Sequence, residues 1–139
     1  MPDILLIQPP IEDFYLTAKR TMPYGLACVA GALRKEGFSV AILDGLATPK
    51  SKAMAWPDTM HYLQPYYGRA DRSPFGLFHT YRHFGYSLQH IARQARDSGA
   101  FLIGISALFS AYSNLALQTA AAVRSACPQA IIVLGGHHP

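Results

Sequence analysis

The chain has 139 residues, half of them hydrophobic and only 14% charged, with a net charge of +4. That length suits one domain with a sizeable core. The charge content falls far below the roughly 25% of ordinary soluble domains, which excludes disorder and coiled coil and implies that part of the surface meets something other than water.

The run Ile4-Leu5-Leu6-Ile7, closed by Pro9-Pro10, predicts a short strand buried on both faces, as in a parallel sheet. Pro23 then opens a helix over residues 26–36, with Leu26, Val29, Ala30 and Leu33 on one face and Gly37 just past its end. Residues 39–43 form a second strand, stopped by Asp44-Gly45, and complete a right-handed βαβ unit. Ser87 caps a helix running to Ser98, with Leu88, Ile91, Ala92 and Ala95 on one face, and Gly99 ends it. A third strand follows over 101–106. A helix capped by Ser113 runs through Ala126 and is stopped by Pro128, and a fourth strand spans 130–134.

Strands alternating with helices predict an α/β fold. It is expected to be a Rossmann-like or flavodoxin-like open parallel sheet in the order 2-1-3-4, set in a three-layer αβα stack. Two features break the regular scheme. Residues 46–86 form an insertion of about forty residues, where about two to six are usual. It holds nine of the sixteen aromatic residues, among them Trp56, Tyr66, Tyr67, Phe78 and Phe84. Such a segment is either a lid or binding surface or a satellite core. The chain also stops directly after its fourth strand, with only Gly135-Gly136-His137-His138-Pro139 beyond it. It therefore reads as the N-terminal piece of something longer, a single domain over 1–139.

The start of the chain carries no basic and apolar leader, and the longest apolar runs fall short of the roughly 20 residues of a membrane helix. A cytoplasmic location is expected. Cys28 and Cys127 form no CxxC pair or zinc spacing and are expected as buried structural residues. Lys and Arg are scattered, without the basic stripe of a nucleic-acid binder.

Ligands of open parallel sheets bind beyond the carboxyl ends of the strands. The first such loop, Gln8-Pro9-Pro10-Ile11-Glu12, has no glycine to bring its backbone against a pyrophosphate, so a dinucleotide site is disfavoured even though Asp44 ends the second strand. There is no Walker A sequence, and Glu12 and Asp13 come too late for a phosphoacceptor cluster. The third strand ends in Ser106-Ala107-Leu108 and the fourth in Gly135-Gly136, with 26 residues between Leu108 and Gly135. This combination resembles the cobalamin-binding domain of cobalamin-dependent methyltransferases and mutases. In that family the serine contacts the dimethylbenzimidazole tail, and the glycines leave room for the nucleotide between sheet and helices.

The chain lacks the DxHxxG of that branch, whose histidine ligates cobalt from below; no histidine precedes His61. It is more similar to the N-terminal cobalamin-binding domain of cobalamin-dependent radical SAM enzymes, including the anaerobic magnesium-protoporphyrin monomethyl ester cyclase group. The motifs carrying the likeness are Pro9-Pro10, Pro23-Tyr24-Gly25-Leu26, Phe84-Gly85-Tyr86-Ser87, Gly104-Ile105-Ser106 and Gly135-Gly136-His137-His138. The resemblance implies base-off cobalamin in a domain not itself catalytic. The parent enzyme would perform methyl transfer or cyclisation, and its 4Fe–4S cluster and S-adenosylmethionine would lie in a missing C-terminal part, the domain's expected partner.

The implied cofactor-binding residues are Pro9, Pro10, Tyr24, Gly25, Ser106, Leu108, Phe109, Asn114, Gly135, Gly136 and His137, with no catalytic or metal-ligating residue. Tyr112 is a further candidate beside the corrin or tail. For each a plainer role exists: a capped turn for Ser106, core packing for Leu108 and Phe109, a turn for the glycine pair. His79 and His83, at i and i+4, would share one helical face and with Arg82 form a cation site or cobalt ligand, or else stand exposed on a lid. Two other readings remain open: an interaction or assembly domain without cofactor, and a flavodoxin-like domain binding another nucleotide.

Overall fold

The computed structural model describes residues 1–17, 22–67 and 79–137. Phe78, His138 and Pro139 lie outside the described residues. Four strands, β1 (Ile4–Gln8), β3 (Val40–Asp44), β6 (Leu102–Ser106) and β7 (Ile131–Gly135), form one sheet in the order β3-β1-β6-β7. Every neighbouring pair is parallel.

Alternation along each strand divides the core in two. Leu5, Ile7, Ile103 and Ile105 pack with Ile91, Ala95 and Val123 of the helices α3 (Leu88–Ser98) and α4 (Ser113–Ala126). Ile4 and Leu6 turn the other way, onto Ala30, Leu26 and Leu33 of helix α1 (Tyr24–Lys35). Helices therefore pack on both faces, with α1 the one on the second among the described residues.

The helix ends follow local chemistry. Pro23 precedes α1, and Arg34 and Lys35 in its last turn suit the negative end of the dipole. The Arg34 guanidinium also donates to the Val40 carbonyl at 2.7 Å, tying the helix to the next strand. The Ser87 hydroxyl accepts from the His90 N–H, and Gly99 closes α3. Ser113 departs from expectation: it is already the first residue of α4 and caps nothing, because a 3-10 turn over Ser110–Tyr112 leads into the helix. Cys28 is another correction, since it is exposed on α1. Only one stripe of that helix meets the sheet, and Cys28 lies off it. Cys127 is half-buried, and burial pushes its thiol pKa up.

A second, antiparallel sheet joins β2 (Ile11–Asp13), β4 (Ser51–Ala53) and β5 (Arg82–Phe84) in the order β2-β5-β4. Much of the insertion thus builds a satellite core. Phe84 is buried with Ile11 and Leu46, and Phe14 packs against Trp56 and Tyr81 at 4.6 and 5.0 Å. A 3-10 stretch (Asp58–Leu63) and the short helix α2 (Gln64–Tyr67) complete its described part. Positive φ at Gly85 lets its backbone pass against Gly45, where the Tyr86 N–H donates to the Gly45 carbonyl and seams the two sheets.

The helical pairing of His79 and His83 does not form. His83 lies in β5, with Nδ1 at 3.0 Å from Glu12 Oε1 and Nε2 at 3.1 Å from the Tyr86 carbonyl oxygen. Strand pairing with β2 and β4 overrides the i, i+4 spacing, and Arg82 is spent on the Ser51 hydroxyl.

Candidate functional site

Helix α1 spans β3 and β1 but stops short of β6 and β7. Between its flank and the open part of the sheet runs a groove of about 840 Å³, within the range of about 300–1,000 Å³ usual for small-molecule sites. One wall is α1, through Tyr24, Gly25, Leu26, Val29 and Leu33. The floor is the sheet, through Leu6, Leu102, Gly104 and Val133, and the far end is closed by Leu108, Phe109 and Tyr112. Val29 is exposed despite its place in the apolar stripe, because the stripe continues past the strands that α1 covers.

The strand ends line up across the sheet. Gln8 pairs with Asp44, Ser106 pairs with Gly135, and Gln8 and Ser106 each follow the Ile7–Ile105 pair by one residue. Gln8, Ser106 and Gly135 consequently stand in adjacent positions and all line the groove.

Nine of the eleven sequence-derived site residues line this groove: Pro9, Pro10, Tyr24, Gly25, Ser106, Leu108, Phe109, Gly135 and Gly136. Asn114 and His137 do not. Asn114 is exposed in the first turn of α4, where Leu115 and Ala116 take the inward positions. His137 is exposed beyond the end of β7. Sequence reasoning passed over Gln8, Tyr15, Val29 and Val133 as site residues. Val29 had a readable signal, an apolar position at the edge of a helix stripe.

The glycine pair divides into two roles. A Cβ on Gly135 would meet no atom within 4 Å, so this residue keeps the groove floor open. Gly136 has φ +128°, and a Cβ there would lie 2.6 Å from the Ala107 carbonyl oxygen. Its glycine is required by the backbone. The Ser106 side chain makes no hydrogen bond among the described residues, so it is not capping a turn.

No charged side chain lines the groove among the described residues. Behind its far end the Tyr112 hydroxyl donates to Asp13 Oδ2 at 2.6 Å. Burial, reinforced by hydrogen bonds with Asp13 and Tyr15, holds the Tyr112 pKa well above the usual phenol value. Tyr81 shifts the same way through burial and the negative charges of Glu12 and Asp13. Among the described residues, no three His, Cys, Asp or Glu side chains gather as a metal site, and no helix is long and apolar enough to cross a membrane.

Comparison with known protein families, characterised proteins and solved structures finds no match to the chain.

Proposed function

We propose that the chain binds cobalamin in the groove between α1 and the β6–β7 part of the sheet. It would serve as an accessory domain to a radical SAM partner domain whose reaction is methyl transfer or cyclisation. The observation that carries this reading is the adjacency of Ser106 and Gly135 on the floor of an open groove whose described lining holds no charged side chain. These are the residues whose spacing carries the resemblance.

The residues fit the group. The room where a Gly135 side chain would project suits a flat heteroaromatic tail, and the free Ser106 hydroxyl is placed to donate to a ring nitrogen. Leu26, Val29, Leu102 and Val133 supply apolar walls. No histidine lines the groove among the described residues. When bound, cobalamin supplies a cobalt centre for group transfer; this chain's own residues bind it, orient it and exclude water from its tail. The 4Fe–4S cluster and S-adenosylmethionine belong to the partner domain, because the two cysteines here are too few for a cluster motif. The finer fold reading, a flavodoxin-like three-layer αβα stack in a cytoplasmic protein, forms part of the same proposal.

Titration with hydroxocobalamin, followed by visible absorbance and by thermal unfolding, tests this reading. A band shift with a raised Tm is expected; at a hundredfold excess over Kd the stabilisation is about 2.7 kcal/mol. No shift and no stabilisation would falsify it.

One observation favours a second reading, an interaction domain without cofactor. Ile131 and Val133 on the edge strand β7 are 55% and 48% exposed. Sedimentation of the chain with and without hydroxocobalamin separates the two, since an interaction face would self-associate or capture a partner irrespective of the cofactor.

A further inference from the structure

The groove's charge pattern restricts what can enter it. The chain carries 12 Lys and Arg and 8 Asp and Glu, yet none lines the groove among the described residues. Against this described lining a phosphate or carboxylate would lose its hydration without gaining a counter-charge, so the part of an occupant seated on it suits an uncharged group.

Two uncharged polar side chains interrupt the apolar floor. Gln8 ends β1 and Ser106 ends β6, in adjacent register one residue past the Ile7–Ile105 pair. Neighbouring strands stand about 4.8 Å apart, so one edge of a flat ligand reaches both side chains. The Gln8 backbone carbonyl is already used by the Gly45 N–H at 2.8 Å. Its carboxamide has no hydrogen-bond partner among the described residues. Asp44, the next residue in the same row, is turned back into its own loop, where Oδ1 accepts from the Leu46 N–H at 2.9 Å. Gln8 is thus the polar group of that row left facing the groove beside Ser106.

We propose that Gln8 is a specificity-determining residue. Its carboxamide pairs head to head with an amide edge of the ligand, a lactam or a primary carboxamide, while Ser106 holds the adjoining atom. A carboxamide presents a coplanar acceptor and donor, and its complement is another amide. A ligand without that edge leaves both atoms of Gln8 stripped of water and unpaired, which is the stronger form of discrimination. The inference rests on the groove being a ligand site, as proposed above, and not on the ligand being cobalamin.

Three bicyclic probes of similar size test it on the full chain by ligand-observed NMR titration. 2-Quinolinone offers donor and acceptor, quinoline offers an acceptor alone, and naphthalene offers neither. The intact chain is expected to bind 2-quinolinone about ten times more tightly than naphthalene, with quinoline between. Gln8→Leu should bring 2-quinolinone and naphthalene within about twofold of each other, and an unaltered urea midpoint reports that the chain is folded. Gln8→Asn, which keeps the carboxamide but withdraws it by one methylene, should lose the preference too, and it serves if the leucine variant does not fold. Equal binding of all three probes by the intact chain, or a tenfold preference retained in both variants, overturns the proposal. A Gln8-dependent preference together with a silent hydroxocobalamin titration supports it and removes only the cobalamin reading. Hydroxocobalamin binding with no Gln8-dependent preference removes only this one.

Discussion

The two faces of the parallel sheet are made by the same strands and meet different fates. On one, Leu5, Ile7, Ile103 and Ile105 are sealed beneath α3 and α4, with Ile7, Ile91, Ile103 and Val123 withdrawn completely from solvent. On the other, α1 covers Ile4, Leu6 and Val40 and then stops, so that Leu102, Gly104 and Val133 become the floor of a groove. Burying a Val, Leu or Ile side chain stabilises a fold by about 1.5–3 kcal/mol. The first face has used that stabilisation for folding, whereas the second leaves part of its apolar surface uncovered among the described residues. Because residues alternate along each strand, a single register fixes both outcomes at once.

The sharpest way to break the comparison is to injure each face separately. Ile103→Ala, on the sealed face, should lower stability by about 3 kcal/mol in urea unfolding, from lost burial plus the cavity left behind. Its effect on hydroxocobalamin affinity should be confined to the smaller folded fraction. Gly136→Ala should cost about 2 kcal/mol in the same assay, because its positive φ and the nearby Ala107 carbonyl oxygen both oppose a side chain. Gly135→Leu should do the reverse. Its new side chain enters open space, so the urea midpoint holds, while hydroxocobalamin affinity falls about tenfold or more, at least ~1.4 kcal/mol of binding. Equal destabilisation by the two neighbouring glycine variants would erase the distinction between a backbone glycine and a groove glycine.

Legibility in the sequence follows the range of the interactions. The four long strands and three long helices could be read because apolar runs, stripes and caps such as Ser87 and Gly99 are local signals. The antiparallel sheet could not. Its three-residue strands are too short to show a period, and Ile11 meets Phe84 across seventy-odd residues of chain. The same non-local pairing undid the helical reading of His79 and His83. At the groove, motif residues such as Ser106 and Gly135 were legible, since their spacing fixes where the strands end. Gln8 was not legible as a site residue, because the role proposed for it comes from register with Ser106 and from a carboxamide with no hydrogen-bond partner among the described residues. Nor did the sequence show that Gly136 is held by sterics, which depends on a carbonyl 29 positions earlier in the chain.

The smallest expected effect concerns the end of the groove, where Tyr112 ties the lead-in of α4 to β2 through Asp13. Tyr112→Phe keeps the ring beside Phe109 and removes only the hydroxyl, so a loss of about 1 kcal/mol at pH 7 is expected. The sign of its pH dependence is set by burial, which raises the Tyr112 pKa above the ordinary 10.0. The folded chain therefore holds this proton more tightly than the unfolded chain does. The stabilisation is complete below pH 10 and is lost as the pH climbs through 10 toward the folded value. Urea midpoints at three pH values, one neutral and two on the alkaline side, should fall more steeply for the intact chain than for the phenylalanine variant. Part of the slope should survive in the variant, because Tyr81 is shifted in the same direction by burial and by Glu12 and Asp13. Amide exchange protection of Ile103 and Val123 should not change, since both lie beneath α3 and α4 on the sealed face. Identical alkaline slopes in the two proteins would show that the Tyr112–Asp13 hydrogen bond does not hold this end of the groove.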